Sequence, residues 1–304
     1  MTAQLEQLDA ELREALTRSL HRETSSVRAK PCIYHTSHVM RQLDVTLTDR
    51  TKLAVMFKDC GPAGWFDAAK RVKPAFLYDP RREIEVYRDV LAKELGAPAF
   101  HGHVIDEPSQ RYWLFIENVR ATPLWQFHKT EWPPVARWLA AMHRHFTDRV
   151  GSLPKSLLCY DRAFYQTWID RACEYRPELE PLRAGYVKVI DRLLLLPMTF
   201  IHGEFYAPNV LLADDRICAI DWETAAVGPG LIDLAALISG DWTDDEREPV
   251  IAAYGASKED LDHCMLHLAV QWLGWSSSWK PPKKNRHDWF TEAKALATRL
   301  GVWA

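Results

Sequence analysis

Leu5, Leu8, Leu12 and Leu16 recur at helical spacing with Glu6, Asp9, Glu11 and Glu14 between them, which predicts an amphipathic opening helix. The period then shortens to two. His38–Leu47 and Lys52–Lys58 are rich in branched residues and flank a turn at Thr48–Arg50, which predicts antiparallel strands. Gly61–Gly64 reads as a loop. From Pro80 a helical period returns, with Ile84, Tyr87, Val90, Leu91 and Leu95 on one face, closed by Gly96 and Pro98. Arg111–Glu117 is aromatic and branched, and reads as another strand.

Beyond Arg120 helical patterns dominate. Pro134 opens a predicted helix to about Phe146, followed by Arg162–Tyr175 and Leu182–Leu196. A β-rich insert then comprises Thr199–Ile201, Val210–Leu212 and Ile217–Ile220, the last two around an Ala-Asp-Asp-Arg turn. Helices resume from about Leu231. Sheet first and helices second is the order of an α+β protein with two lobes, divided here as 1–117 and 118–304.

Composition narrows the function. A formal net charge of -3 over 304 residues argues against a nucleic-acid binder held by a basic stripe. The cluster Lys280, Lys283, Lys284 and Arg286 around Pro281 and Pro282 reads as a solvated loop. No apolar run matches a membrane span, and the acidic amphipathic start is unlike a signal peptide. Cys32, Cys60, Cys159, Cys173, Cys218 and Cys264 show no metal-ligand spacing, so buried reduced thiols in a cytoplasmic protein are expected.

The chemistry concentrates in His202-Gly203-Glu204-Phe205-Tyr206-Ala207-Pro208-Asn209 and, after the predicted hairpin, Asp221-Trp222-Glu223. Phosphoryl transfer needs magnesium against the nucleotide phosphates and a carboxylate beside the attacking hydroxyl. Asn209 and Asp221 offer hard oxygen ligands of the kind magnesium prefers. Glu204 stands five residues before Asn209, the spacing from catalytic carboxylate to metal-binding Asn in kinase catalytic loops.

These motifs resemble the aminoglycoside phosphotransferase and choline-kinase-like family. The resemblance rests on His-Gly-Glu-x-x-x-x-Asn-Val-Leu, on Ile-Asp-Trp-Glu, and on Gly228-Pro229-Gly230-Leu231-Ile232-Asp233-Leu234-Ala235. It implies a bilobal protein-kinase-like fold, with a small antiparallel-sheet N-lobe and a mainly helical C-lobe. It also implies ATP and Mg2+ as cofactors and a small-molecule hydroxyl as substrate. Lys58, ending its strand, would then position the phosphates, and Glu83 would orient it, with Glu85 as an exposed alternative. The strand ending at Glu117, with Asn118 and Val119, would be the hinge whose backbone binds adenine. His202 and Asp233 would hold the catalytic loop in shape.

Two positions depart from the family pattern. Glu204 stands where the family carries Asp; the two acids differ little in acidity, at about 3.9 and 4.3, but the extra methylene reaches roughly 1.5 Å further. Glu204 is expected to remain the base or hydroxyl-orienting group. No glycine-rich phosphate loop is present, and Thr24-Ser25-Ser26 is the candidate turn in its place; Gly61-Pro62-Ala63-Gly64 lacks the following Lys and Ser/Thr of a P-loop. A catalytically weak pseudokinase binding a nucleotide or metabolite is the alternative reading. Trp272, Trp275, Trp279 and Trp289 are expected to pack helices, and Asp241, Asp244, Asp245 and Glu246 to favour a helix N-terminus. His143 and His145, two apart on a helix, make a poor metal pair.

Overall fold

The period-two stretches form a five-stranded antiparallel sheet. Its strands β1 (Thr24–Pro31), β2 (Met40–Leu47), β3 (Lys52–Asp59), β4 (Phe100–Asp106) and β5 (Arg111–Glu117) lie in the order β1-β2-β3-β5-β4. One face presents Leu43, Val45 and Leu47 of β2, Val55 and Phe57 of β3, and Trp113 and Phe115 of β5, all buried. Helix α1 (Thr2–Leu20) supplies Leu12, Ala15 and Leu16 to the same core, with Leu8 packed at its margin. Burying each such leucine is worth about 1.5–3 kcal/mol, which fixes the strand register. Lys58 is therefore turned to the opposite face, level with Met40 and Leu114.

This computed structural model describes residues 2–32, 37–91, 95–214, 216–278 and 287–304, with side chains in α1 from residue 8 onward. Leu5's side chain, Asp215 of the predicted turn, Trp279 and the basic cluster at 280–286 lie outside the described residues. The chain divides into two units. The first comprises Met1–Arg71, Tyr78–Thr122 and Leu212–Glu223, and the second Val72–Leu77, Pro123–Leu211 and Thr224–Ala304.

In the first unit the helix expected from Pro80 is short. After α2 (Asp67–Val72), α3 (Arg82–Glu85) widens into a π turn over Val86–Val90, where the Leu91 N–H reaches the Val86 carbonyl at 3.0 Å. Residues 92–94 of the expected helix lie outside the described set. Thr24-Ser25-Ser26 is not a turn. It belongs to β1, where the Ser25 hydroxyl donates to the Thr46 carbonyl at 2.9 Å and a register shift falls between Thr24 and Ser26.

The second unit is mainly helical, with α4 (Pro133–Thr147), α5 (Arg162–Tyr175), α6 (Glu180–Leu194), α7 (Leu231–Leu237), α8 (Asp244–Tyr254), α9 (Lys258–Leu273) and α10 (Trp289–Arg299). Its short strands include β7 (Leu158–Cys159), β8 (Met198–Ile201) and β11 (Ala226–Pro229); of the others, β6 (Thr122–Pro123) and β9 (Val210–Leu212) fall at the division and β10 (Ile217–Ala219) in the first unit. β11 is the middle of a small sheet, parallel to β7 and antiparallel to β8. The acidic run opens α8 as expected, with Thr243 and Glu246 forming a reciprocal cap. All six cysteines are free, but Cys159 is exposed rather than buried, because the two-residue β7 leaves one side uncovered.

His267 lies fully buried in α9, its Nδ1 2.8 Å from the Tyr186 hydroxyl and its ring edge-on to Tyr165. Burial pushes its pKa down to about 3. The unfolded imidazole, at about 6.5, binds a proton that the folded one refuses, so this stability is present above the unfolded value and is lost as pH falls. Going from pH 7 to pH 5 is expected to cost about 2 kcal/mol through this residue. Urea midpoints at the two pH values check it, with His267→Gln expected to flatten the difference.

Candidate active site

In the first unit, β3 delivers Lys58 to a buried position beside two carboxylates. Its Nζ lies 2.6 Å from Oε2 of Glu83 and 2.6 Å from Oδ1 of Asp221. Lys58 and Glu83 are 6% and 4% exposed, whereas the Asp221 side chain keeps 41% of its surface. Burial works against the ammonium, but the charges of Asp221, Glu83 and Glu223 outweigh it and hold the Lys58 pKa well above its ordinary value. The Glu83 pKa is raised, because burial outweighs the pull of Lys58. Of the two glutamates on α3, Glu83 rather than Glu85 meets the lysine, since Glu83 shares the inward side with Ile84, Val86 and Tyr87.

Asp221 adopts a left-handed backbone, with φ 66°, a conformation that Asp tolerates better than most residues. The residues around it are fixed in turn. The Trp222 indole is buried and donates to the Ala219 carbonyl at 3.0 Å. The Glu223 carbonyl accepts from Arg82 Nη1 at 2.7 Å, and its carboxylate lies 3.3 Å from Nε2 of His38.

In the second unit, β8 runs into His202-Gly203-Glu204. The fully buried Asp233, near the start of α7, accepts from the His202 N–H at 2.7 Å and the Gly203 N–H at 2.9 Å. His143 of α4 reaches the same carboxylate, with Nε2 3.2 Å from Oδ2, while its Nδ1 lies 2.7 Å from the Tyr254 hydroxyl. Gly203 has φ +82°, and a Cβ there would fall 2.5 Å from the Thr224 carbonyl, so only glycine fits this corner.

The corner presents Glu204 half-buried, with its Oε2 accepting from the Thr224 hydroxyl at 3.3 Å. Asn209 Nδ2 donates to the Glu204 carbonyl at 3.0 Å, so the amide is oriented by the loop it closes. The arrangement sets a carboxylate and an amide oxygen on one rigid turn, backed by the fully buried Phe205 and its stacking partner Trp138.

Glu117 ends β5 with its side chain committed elsewhere. Its Oε2 accepts from the Ala99 N–H at 3.0 Å and its Oε1 pairs with Arg216 at 2.6 Å. Val119 lies two residues beyond the strand, half-buried. His38, Glu223, His143 and Thr224 join these networks without having been singled out for them. His38 reads in sequence as a strand residue, and His143 only as an unsuitable metal pair. Glu223 and Thr224 stand two and three residues after Asp221, and that proximity was the available signal. Among the described residues no group of three or more His, Cys, Asp or Glu side chains is arranged to hold a metal ion, and no helix is long and apolar enough to cross a membrane.

Residues 68–267 match the profile of the phosphotransferase enzyme family, APH. The chain belongs to this family. No curated protein matches the sequence. Solved structures similar to this phosphotransferase-family chain include a choline kinase from Cryptosporidium parvum, at 15% identity and TM-score 0.59 over 98% of this chain and 95% of that one. Another is the choline kinase LicA from Streptococcus pneumoniae, at 14% identity and TM-score 0.57 over 97% and 99%. A third is a spectinomycin phosphotransferase in complex with ADP and spectinomycin, at 14% identity and TM-score 0.52 over 97% and 92%. At these identities the likeness is one of fold, and the fold is kinase-like: an antiparallel N-terminal sheet followed by a helical C-terminal region.

Proposed function

We propose that this phosphotransferase moves the γ-phosphate of ATP to a hydroxyl of a small molecule, working in the cytoplasm. The observation that carries the proposal is the buried Lys58, paired at 2.6 Å with both Glu83 and Asp221. An ammonium so placed is fixed, charged and available to nucleotide phosphates, which is the role such a lysine plays in phosphoryl transfer. Glu83 orients it. The backbone from Glu117 to Val119 receives the adenine, and the lobes divide at 117/118. The nucleotide and small-molecule acceptor are also supported by the ADP and spectinomycin held by one similar structure.

Magnesium fits the chemistry of the donors. Lys58 engages Oδ1 of Asp221, which has Oδ2 besides, and Asn209 donates through Nδ2 and carries its one side-chain oxygen at Oδ1, so each residue presents an oxygen of the hard type the ion prefers. Asp221 and Asn209 would hold the ion, which when bound neutralises charge on the phosphates. Glu204 accepts or orients the acceptor hydroxyl's proton, held towards that task by Thr224 and the Asp233-anchored corner. Screening hydroxylated metabolites for ATP consumption tests the reading. Turnover is expected with at least one acceptor and is expected to vanish in Asp221→Ala; turnover that survives this substitution would exclude Asp221 as a metal ligand.

A further inference from the structure

His38 is 4% exposed and lies outside every motif that marks the family. Its Nδ1 is 3.0 Å from the carbonyl of Asp59, the residue after Lys58, and its Nε2 is 3.3 Å from Oε2 of Glu223. A carbonyl oxygen only accepts, so Nδ1 carries hydrogen and donates. Nε2, on the other side of the ring, faces the Glu223 carboxylate, so the two nitrogens address two different segments of the chain. The ring stacks with Trp65 at 6.1 Å and Tyr78 at 6.4 Å, inclined by 10° and 19°. Its orientation is thus set by packing as well as by both nitrogens.

One imidazole therefore ties the end of the Lys58 strand to the segment carrying Asp221. That segment needs tying, because Asp221 has a left-handed backbone and a carboxylate that is 41% exposed. Arg82 holds the Glu223 carbonyl, Trp222 anchors on Ala219, and His38 joins the Glu223 carboxylate to the Asp59 carbonyl at the end of β3.

We propose that His38 is a positioning residue for magnesium binding at Asp221, acting through Glu223. The proposal rests on the magnesium role given to Asp221 above. Groups that orient a metal ligand from behind typically contribute 10–100-fold to metal affinity.

The test measures ATP affinity by calorimetry with and without magnesium, in the full chain. In the wild type, magnesium is expected to tighten ATP. His38→Phe keeps the ring stack and removes both polar contacts; it is expected to reduce that tightening by about tenfold or more, with magnesium-free ATP affinity unchanged. His38→Gln, which can still donate to Glu223, is expected to restore part of it. A purely structural role would lower the thermal midpoint and weaken ATP equally with and without magnesium. If His38→Phe folds poorly, His38→Gln carries the comparison. Full magnesium tightening in a folded His38 variant overturns the proposal alone, whereas its absence in the wild type overturns the magnesium role of Asp221 as well.

Discussion

Glu204→Gln is expected to lower turnover by about a hundredfold to ten-thousandfold while leaving Mg-ATP binding unchanged. Gln is close to isosteric and can still meet the Thr224 hydroxyl, so the corner built by Gly203 and Asp233 is kept. What it loses is the ability to accept the acceptor's proton. Glu204→Asp is the informative companion, because it keeps the carboxylate but shortens its arm by one methylene on a loop shaped around glutamate. A carboxylate withdrawn by roughly 1.5 Å should lower turnover as well, since a 1 Å misplacement can cost on the order of a hundredfold. Steady-state rates with an acceptor found by screening, beside calorimetric Mg-ATP affinities, check both variants. Full turnover in Glu204→Gln would remove Glu204 from the reaction.

Asp233→Ala is expected to give the largest loss of stability. Its carboxylate is fully buried and accepts two backbone N–H groups as well as meeting His143. Truncation strands two buried donors, each costing about 1–3 kcal/mol, for a total of about 2–6 kcal/mol. Asp233→Asn retains one acceptor oxygen and is expected to fall between the two. Urea denaturation reads the stability, and the phosphotransfer rate should fall in parallel, because Glu204 hangs on the same corner. A loss in Asp233→Ala below about 1 kcal/mol would mean that water or a neighbour replaces the carboxylate.

The strands and helices with strong periodicity were legible in the sequence. Arg111–Glu117 and Arg162–Tyr175 were read with the boundaries they have as β5 and α5. β4 was missed because His101, Gly102 and His103 interrupt its alternation, and an edge strand with a register shift between Phe100 and Gly102 tolerates this. β1 was misread at its start for the same reason: it is an edge strand whose residues are mostly exposed, so no apolar pattern is required of it. β11 was hidden behind Gly228 and Pro229, which are usual in turns but here end a short strand beside β8.

Within the candidate site, Lys58, Glu204, Asn209 and Asp221 were picked out on chemistry alone, and the structure sets Lys58 beside Asp221 and Asn209 beside the Glu204 carbonyl. The residues that hold them were not. His38 and His143 approach from distant parts of the chain, and their pairing with Glu223 and Asp233 depends on tertiary structure that no local spacing encodes. Glu83 was preferred from the apolar spacing of Val86, Tyr87 and Val90 after it, with Glu85 left open, and the Lys58 contact falls on Glu83.

The central claim is that the set around Lys58 and Asp221 binds Mg-ATP. Thermal unfolding with millimolar Mg-ATP tests it most directly, since a ligand at a hundred times its dissociation constant stabilises the folded state by about 2.7 kcal/mol. The expected result is a clear rise in midpoint for the wild type that is lost in Asp221→Ala. An unmoved wild-type midpoint would contradict the account.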